Sequence, residues 1–331
     1  MIPKVSVIIT IYNREKYIET CIRSLFEQTL PDIEYIIVND ASTDNSIFIL
    51  YRIIEQYPER KSWVKIINLE KNGGVSHARK IGIENVTGEY VIHADSDDWV
   101  DHDMYEKLYC NAQQKKADIT GCNICHEYEG GTTLLIQHYG NTVDENIGAL
   151  IRGDIHPSLC TSLTKTKLIR DHQISFPEGL NMGEDLFFNL QLYLHAHLII
   201  GIDDAPYHYR HTADSSSFHH NRTTINSGIN IGKKIEKFMK EENRYEDFKK
   251  DIEYRKFSLK MPLIQEFDNI DDYHYWLTVF PETHKHIMSY SQLDWKFRFQ
   301  LWFAAHHLLF VSQWMKKIIS WQHQFKVILK S

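Results

Sequence analysis

The sequence predicts an α/β fold, a doubly wound and mainly parallel central sheet followed by a helical C-terminal extension. Three observations carry that expectation. Between Lys4 and Trp99, β-branched runs alternate with helical apolar patterns, the signature of successive βαβ units. The runs are continuous rather than alternating, as in strands covered on both faces. From about Asn221 strand patterns give way to charged helical ones, such as KKIEKFMKEENRYEDFKKDIEYRKF.

Lys4 to Ile11, KVSVIITI, is the first strand and ends in Tyr12-Asn13-Arg14. Ile18, Cys21, Ile22, Leu25 and Phe26 then recur at helical spacing within Glu15 to Gln28. A second strand, Ile33 to Val38, stops at Asn39-Asp40-Ala41-Ser42, after which Thr43 or Asp44 caps a helix running to about Tyr57. Val64 to Leu69 is a third strand. It leads through Lys71-Asn72-Gly73-Gly74 into a helix carrying His77, Arg79 and Lys80 to Val86. After Thr87-Gly88 a fourth strand, in EYVIHADSDDW, runs straight into Asp95, Ser96, Asp97 and Asp98.

Beyond Asp103 the pattern gives a helix to about Lys116, one strand in DITGCNICHEYE, and a hairpin partner TTLLIQHY across Gly130-Gly131. Val143 to Arg152 reads as a short amphipathic helix. Gly183-Glu184-Asp185 opens a helix, LFFNLQLYLHA, whose first turn holds both acids, where its dipole favours them. HLIIGID is a strand, and PYHYRHTADSSS reads as a polar segment crowding Tyr207, His208, Arg210 and His211. Ile155 to Pro177 carries only weak signals.

Composition bounds the function. The chain has 331 residues, 43% hydrophobic and 24% charged, so neither disorder nor a polytopic membrane protein is indicated. A net charge of −7 argues against nucleic acid as a partner. MIPKVSVIITIYN reads as a strand rather than a signal peptide, and the five cysteines form no spaced framework, so a cytoplasmic protein with reduced thiols is expected. Cys122 and Cys125 form a CxxC, but in a strand such positions face opposite ways and no second pair completes a site, so zinc is not expected there.

Ligands of a doubly wound sheet lie beyond the carboxyl ends of its strands. That rule places Thr10 to Asn13, Asn39 to Ser42, Asn72 to Gly74 and Asp95 to Asp98 on one rim. TIYNRE has no glycine after the first strand and there is no GxxxxGK[ST] loop, which disfavours NAD enzymes and P-loop ATPases. Crowded aspartates raise one another's pKa unless a cation sits among them, so the DxD invites magnesium or manganese. Alone, a DxD is more often an acidic turn, and Asp101 and Asp103 suit helix capping. Sharing a rim with Tyr12, Asp40 and Asn72 reverses those odds. A nucleotide fits there, with Gly73 and Gly74 either admitting its close approach or making a plain turn.

The C-terminal forty residues mix Trp295, Phe297, Phe299, Trp302, Phe303, Phe310, Trp314, Trp321 and Phe325 with Lys296, Arg298, Lys316, Lys317, Lys326 and Lys330. LWFAAHHLLFV is too short and too interrupted by His306 and His307 to span a bilayer. An interfacial helix on anionic headgroups and packing against the protein itself are equally weighted readings.

Five blocks, VSVIITIYNREKYIETCIRSLFEQT, DIEYIIVNDASTDNS, NLEKNGGVSHARKIGI, TGEYVIHADSDDW and MGEDLFFN, together resemble the inverting family 2 glycosyltransferases of glycosyltransferase-A type fold, of the bacterial envelope or capsular polysaccharide kind. The resemblance spans roughly residues 3 to 215. It implies a catalytic domain at 1–215, with a Rossmann-like nucleotide-sugar-binding half at 1–100 and an acceptor half at 101–215, before the helical extension at 216–331. It also implies that Thr10, Tyr12 and Asp40 hold the base and that Arg79 and Asp95 position base, ribose or phosphate, with Asn72 and Ser96 in the same donor site. Asp97 and Asp95 would ligate Mn2+ or Mg2+, and Asp185 would be the catalytic base. The family often has Asp-Asp-Gly-Ser where this chain has Asn39-Asp40-Ala41-Ser42, so Ala41 is expected at an ordinary φ.

The expected reaction moves a sugar from a nucleotide-diphosphate sugar, a UDP-sugar by preference, to a hydroxyl of a glycan or lipid-linked oligosaccharide, with inversion. Arg79 or Arg210 would assist the leaving diphosphate, while His208 and His211 are expected to make local hydrogen bonds. The expected location is cytoplasmic, with peripheral contact at the inner membrane surface. Of the competing readings, a nucleotidyltransferase lacks its glycine-rich loop and a glycosidase needs no nucleotide rim. A catalytically inactive subunit that binds sugar-nucleotide or glycan for an envelope assembly complex is the main alternative.

Overall fold

The computed structural model describes residues 2–177, 183–211, 222–265, 269–290 and 293–316, and the chain divides into two compact units, Met1–Ser217 and Phe218–Ser331. In the first unit the strands are β1 (Val5–Ile11), β2 (Ile33–Asn39), β3 (Val64–Asn68), β4 (Tyr90–Asp95), β5 (Trp99–Val100), β6 (Ile119–Gly121), β7 (Ile124–Tyr128), β8 (Gly131–Leu135), β9 (Ser162–Lys165), β10 (Ile199–Gly201) and β11 (Tyr207–Arg210). Its helices are α1 (Ile18–Phe26), α2 (Ser46–Ile54), α3 (Pro58–Lys61), α4 (Val75–Asn85), α5 (Met104–Lys115), α6 (Val143–Arg152), α7 (Thr166–Asp171) and α8 (Glu184–His195).

Seven strands form the main sheet in the order β10-β6-β9-β4-β1-β2-β3, and β9 alone runs against its neighbours. β1 and β2 are nearly solvent-free because their β-branched side chains are covered on both faces. The chain leaves β1 on one side for β2 and β3, then returns on the other as β4. The switch point therefore opens between β1 and β4, where Thr10 is in register with Asp95. A second sheet, β5-β11-β7-β8, joins the loop after the DxD to the chain's later strands.

Several expectations need correction. DITGCNICHEYE is two strands in two sheets, because the chain turns at Cys122-Asn123, with Asn123 N donating to Asp204 O at 3.0 Å. Tyr207 to Arg210 is strand β11 rather than an irregular polar segment; its polar side chains find partners on β7 and on the acidic loop. The second helix ends at Ile54, since Pro58 lacks an amide proton and starts the separate turn α3. Asn45 occupies its N-cap position, while Asp44 Oδ1 accepts from Ser46 N at 3.0 Å. Antiparallel β9, which makes the sheet mixed, comes from the stretch where sequence patterning was weakest.

The second unit is helical: α9 (Arg222–Glu241), α10 (Tyr245–Lys260), α11 (Pro262–Gln265), α12 (Ile270–Thr278) and α13 (Trp295–Ala305). Ile225, Ile229, Phe257, Tyr273 and Trp276 are among the buried residues of its own core. Its apolar residues at helical spacing bury one face of α9, while Lys233, Lys237 and Lys240 stay in water.

Candidate active site

The loops after β1 and β2 are fastened to one another before any ligand arrives. Asn13, at φ 52°, accepts through Oδ1 from Thr43 N at 2.8 Å, and its own N–H donates to Ser42 Oγ at 3.2 Å. Arg14 N donates to Ser46 Oγ at 2.7 Å, and Glu15 N to Asp44 Oδ2 at 3.0 Å. Tyr12 is left projecting from this seam, 45% exposed. Ala41 sits at φ 58°, contrary to the ordinary φ expected of it. The Ser42 N–H donates to Asn39 Oδ1 at 2.9 Å, closing a tight turn that forces the intervening backbone left-handed at some steric cost.

Asp40 is buried, and its carboxylate receives Gly73 N at 2.7 Å and Gly74 N at 2.9 Å. Gly74 has φ 84°, which a residue with a Cβ adopts only with strain, so this pair of glycines presents two successive amides to one carboxylate. Asn72 Nδ2 leans on Asp40 O at 3.4 Å. Asp40 thus ties the β2 and β3 loops together.

The center of the rim is an anion cluster around one guanidinium. α4 packs closely on β1, since a methyl group at Gly82 would collide with Ile8 Cγ2. One turn earlier on that helix, Arg79 points under the rim with a side chain only 5% exposed. Its Nη2 meets Asp95 Oδ1 at 3.0 Å, its Nη1 meets Glu184 Oε1 at 3.1 Å, and the same Nη1 pairs with Asp185 Oδ1. Gly183, at φ 76°, turns the chain so that both acids enter the first turn of α8. One cation faces three carboxylates. Burial works against the Arg79 charge, but Asp185, Asp95 and Glu184 outweigh it and hold its pKa above the ordinary value. Burial likewise raises Asp185, against the pull of Arg79 and with the help of Glu184 and Asp95, to about 7.

The acidic loop divides its labour. Asp97 is one-third open, its side chain 32% exposed and 3.3 Å from Arg14 Nε; burial and then the Asp95 charge raise its pKa. Asp98 turns inward instead. It accepts from Tyr207 Oη and from Arg210 N, the latter at 2.8 Å, and burial followed by the charges of Asp95 and Asp97 pushes it up to about 8. Its part is to dock β11 against the loop. Ser96 is also buried, whereas Thr10 is half-buried at the end of β1. Arg210 donates from Nε to Asp97 O at 2.9 Å, and its guanidinium lies 4.4 Å over the Trp99 ring.

The structure therefore groups Arg79, Asp95 and Asp185 directly, sets Thr10 and Asp97 on adjoining strand and loop positions, and places Asp40, Asn72 and Tyr12 on the neighbouring loops. Sequence reasoning missed the Arg14 pairing with Asp97 and the role of Asn13, although both lie in the TIYNRE stretch directly after β1. It also gave Glu184 no more than a dipole role. His208 makes local hydrogen bonds, to Glu127 at 2.8 Å and Asp101 at 3.1 Å, and His211 bonds His126 at 2.7 Å.

A divalent ion fits this donor set. Asp95 and Asp97 offer hard oxygens from partly open side chains, and among the described residues no third His, Cys, Asp or Glu joins them in a closed cage. Two carboxylates leaving positions for substrate phosphates and water is how magnesium-type sites are built.

Comparison with known proteins identifies the family. Residues 6–161 match the family described as Glycosyl transferase family 2. EpsH of Bacillus subtilis (strain 168) is 33% identical over 258 residues, which cover 76% of this chain and 73% of EpsH. The poly(ribitol-phosphate) beta-N-acetylglucosaminyltransferase TarS of Staphylococcus aureus (strain Mu50 / ATCC 700699) is 30% identical over 209 residues, covering 62% of this chain but only 35% of TarS. The fold is similar to that of S. aureus TarS 1-349 in complex with UDP-GlcNAc, with TM-score 0.69 and 22% identity over 96% of this chain and 92% of that one. It is also similar to the mannosyltransferase PcManGT of Pyrobaculum calidifontis in complex with GDP-Man and Mn2+, with TM-score 0.57 and 15% identity over 87% and 76% of the two chains. The chain thus belongs to glycosyl transferase family 2 and is a glycosyltransferase of glycosyltransferase-A type fold.

Proposed function

We propose that this protein transfers a sugar from a UDP-sugar to a hydroxyl of a glycan or lipid-linked acceptor in envelope polysaccharide assembly, inverting the anomeric carbon, with Asp185 as the base. The carrying observation is the convergence of Asp185 from α8 and Asp95 from β4 on Arg79 at the switch point of the sheet. That TarS has been seen with UDP-GlcNAc supports the choice of donor.

In this reading Tyr12 and the Asp40 loop receive the base, with Thr10, Asn72 and Ser96 shaping the donor site. Asp95 and Asp97 would hold a magnesium or manganese ion, which when bound supplies Lewis-acid neutralisation of the departing diphosphate. Arg79 positions Asp95 and Asp185 relative to each other. Asp185 orients the acceptor hydroxyl and takes its proton late, as the new bond makes that hydroxyl acidic. A carboxylate whose pKa stands raised is a better base than an ordinary one. Retention of all these acids favours catalysis over the binding-only alternative.

The deciding experiment replaces Asp185 with Asn. Transfer should fall roughly 100- to 10,000-fold while UDP affinity, measured calorimetrically with manganese, stays within a few-fold. Turnover near that of the unmodified enzyme would sink the assignment.

No helix among the described residues is long and apolar enough to cross a membrane. Trp295, Phe299, Trp302, Phe310 and Trp314 are nonetheless exposed, and Lys296 and Arg298 lie among them, which supports peripheral contact with an anionic membrane surface. Trp321, Phe325, Lys317, Lys326 and Lys330 lie outside the described residues. Removing residues 290–331 should abolish co-sedimentation with anionic vesicles; unchanged pelleting would refute the anchoring role.

A further inference from the structure

The small sheet β5-β11-β7-β8 carries a second constellation that the transfer reaction does not use. Cys125 and Glu127 alternate along β7 and so share one face. His208 on β11 is the register partner of Cys125 and lies on that same face. Cys125 Sγ is 3.4 Å from Glu127 Oε1, and His208 Nδ1 is 2.8 Å from that oxygen. All three ligand atoms lie within 4.8 Å of one another. We propose that Cys125, Glu127 and His208 form a zinc site that staples β7 to β11, independent of the cation at the DxD.

Several features select zinc over a hard ion. A thiolate, an imidazole and a carboxylate make a mixed soft and borderline donor set, suited to zinc and poorly suited to magnesium or calcium. Bond lengths of 2.0 to 2.3 Å in a tetrahedron put ligand atoms about 3.3 to 3.8 Å apart; the two spacings to Glu127 Oε1 lie within about half an ångström of that range, and Cys125 Sγ and His208 Nδ1, within 4.8 Å of each other, close by at most about one ångström. The charges also balance. On binding, the thiol gives its proton to solvent, and thiolate plus carboxylate neutralise the dication with the imidazole uncharged.

The surroundings complete the argument. Asp101 Oδ1 lies 3.1 Å from His208 Nε2, the ring nitrogen left over when Nδ1 binds metal. A carboxylate there fixes the tautomer and orients the ring, the usual outer partner of a metal-bound histidine. Trp99 stacks on a face of the His208 ring, centroids 5.1 Å apart, which further limits its rotation. The CxxC itself does not chelate: Cys122 Sγ is turned to Thr161 O at 3.5 Å. Cys125 instead finds its partners two residues on and on a strand distant in sequence. With side chains 20% and 19% exposed, Glu127 and His208 leave a path for the ion and a fourth position for water. Stapling β11 holds Tyr207 and Arg210 in place against Asp98 and Asp97.

The test uses the reduced full-length protein, stripped with chelator and titrated with zinc or cobalt in the absence of nucleotide. Stoichiometric zinc uptake and a near-ultraviolet thiolate-to-cobalt charge-transfer band are expected. Cys125→Ser and His208→Gln should abolish the band, Cys122→Ser and Asp97→Asn should retain it, and Asp101→Asn should weaken zinc binding roughly 10- to 100-fold. The absence of that band in the unmodified protein, which needs no variant to fold, would overturn the proposal. So would a band or zinc uptake unchanged in Cys125→Ser.

Discussion

Arg79 and Lys260 are both buried cations, one in each compact unit, and they are accommodated by opposite means. Arg79 is met by three carboxylates, more negative charge than it can neutralise. Lys260, fully buried, is met by none of these: its Nζ donates to Val279 O at 2.7 Å and Phe280 O at 3.1 Å and lies 4.5 Å over the Trp276 ring. The Arg79 pKa is held up. Burial lowers that of Lys260 to about 7, despite some support from Glu282. A neutral amine has two N–H groups, enough for its two carbonyls. Surplus negative charge therefore accumulates at the switch point of the sheet, whereas a cation that only closes a helix end is satisfied by backbone dipoles.

The sharpest way to break this comparison is to remove each cation without much change in volume. Arg79→Met should cost about 3–5 kcal/mol in chemical denaturation, because it leaves buried carboxylates unpaired, and should reduce transfer by at least about 100-fold. Lys260→Met should change stability by less than about 2 kcal/mol and leave transfer intact, since two carbonyls lose donors but a buried amine no longer has to be desolvated. Equal losses in the two variants would erase the distinction.

A subtler effect concerns pH and activity. With Asp185 raised to about 7, the ionised base accumulates as pH rises, so kcat should climb through neutrality. Glu184→Gln removes a neighbouring negative charge, lets Asp185 ionise more readily, and should move the inflection to lower pH. An unmoved profile would show that Asp185 does not govern it.

The remaining effect is on the pH dependence of stability. Between about 7 and 10.5 the unfolded chain keeps a proton on Lys260 that the folded chain releases, so this residue makes stability rise with pH across that window. Denaturation series at several pH values should show the rise flattened in Lys260→Met. A slope unchanged by the substitution would mean that the folded lysine stays charged.

Regular strands and helices of the first half were legible because each depends on local periodicity: β1, β2 and β4 are continuous apolar runs, and α1 and α6 place apolar residues on one face. β11 and β9 were not. Tyr207 to Arg210 is polar on both faces and becomes a strand only because Asp98, Glu127 and Asp101 wait beside it. Ala41 escaped for a related reason, its φ being imposed by a turn that Asn39 and Ser42 close around it.

What the sequence alone determined is the alternation of strands and helices, the rim they create, and the family signature running along that rim, since all three are written in contiguous residues. Only the tertiary structure decided which acids share a cation, that Asp98 faces inward while Asp97 stays partly open, and that Cys125 meets His208 rather than Cys122. Those pairings join residues up to about a hundred positions apart, and electrostatic energy depends on distances in space that no local pattern encodes.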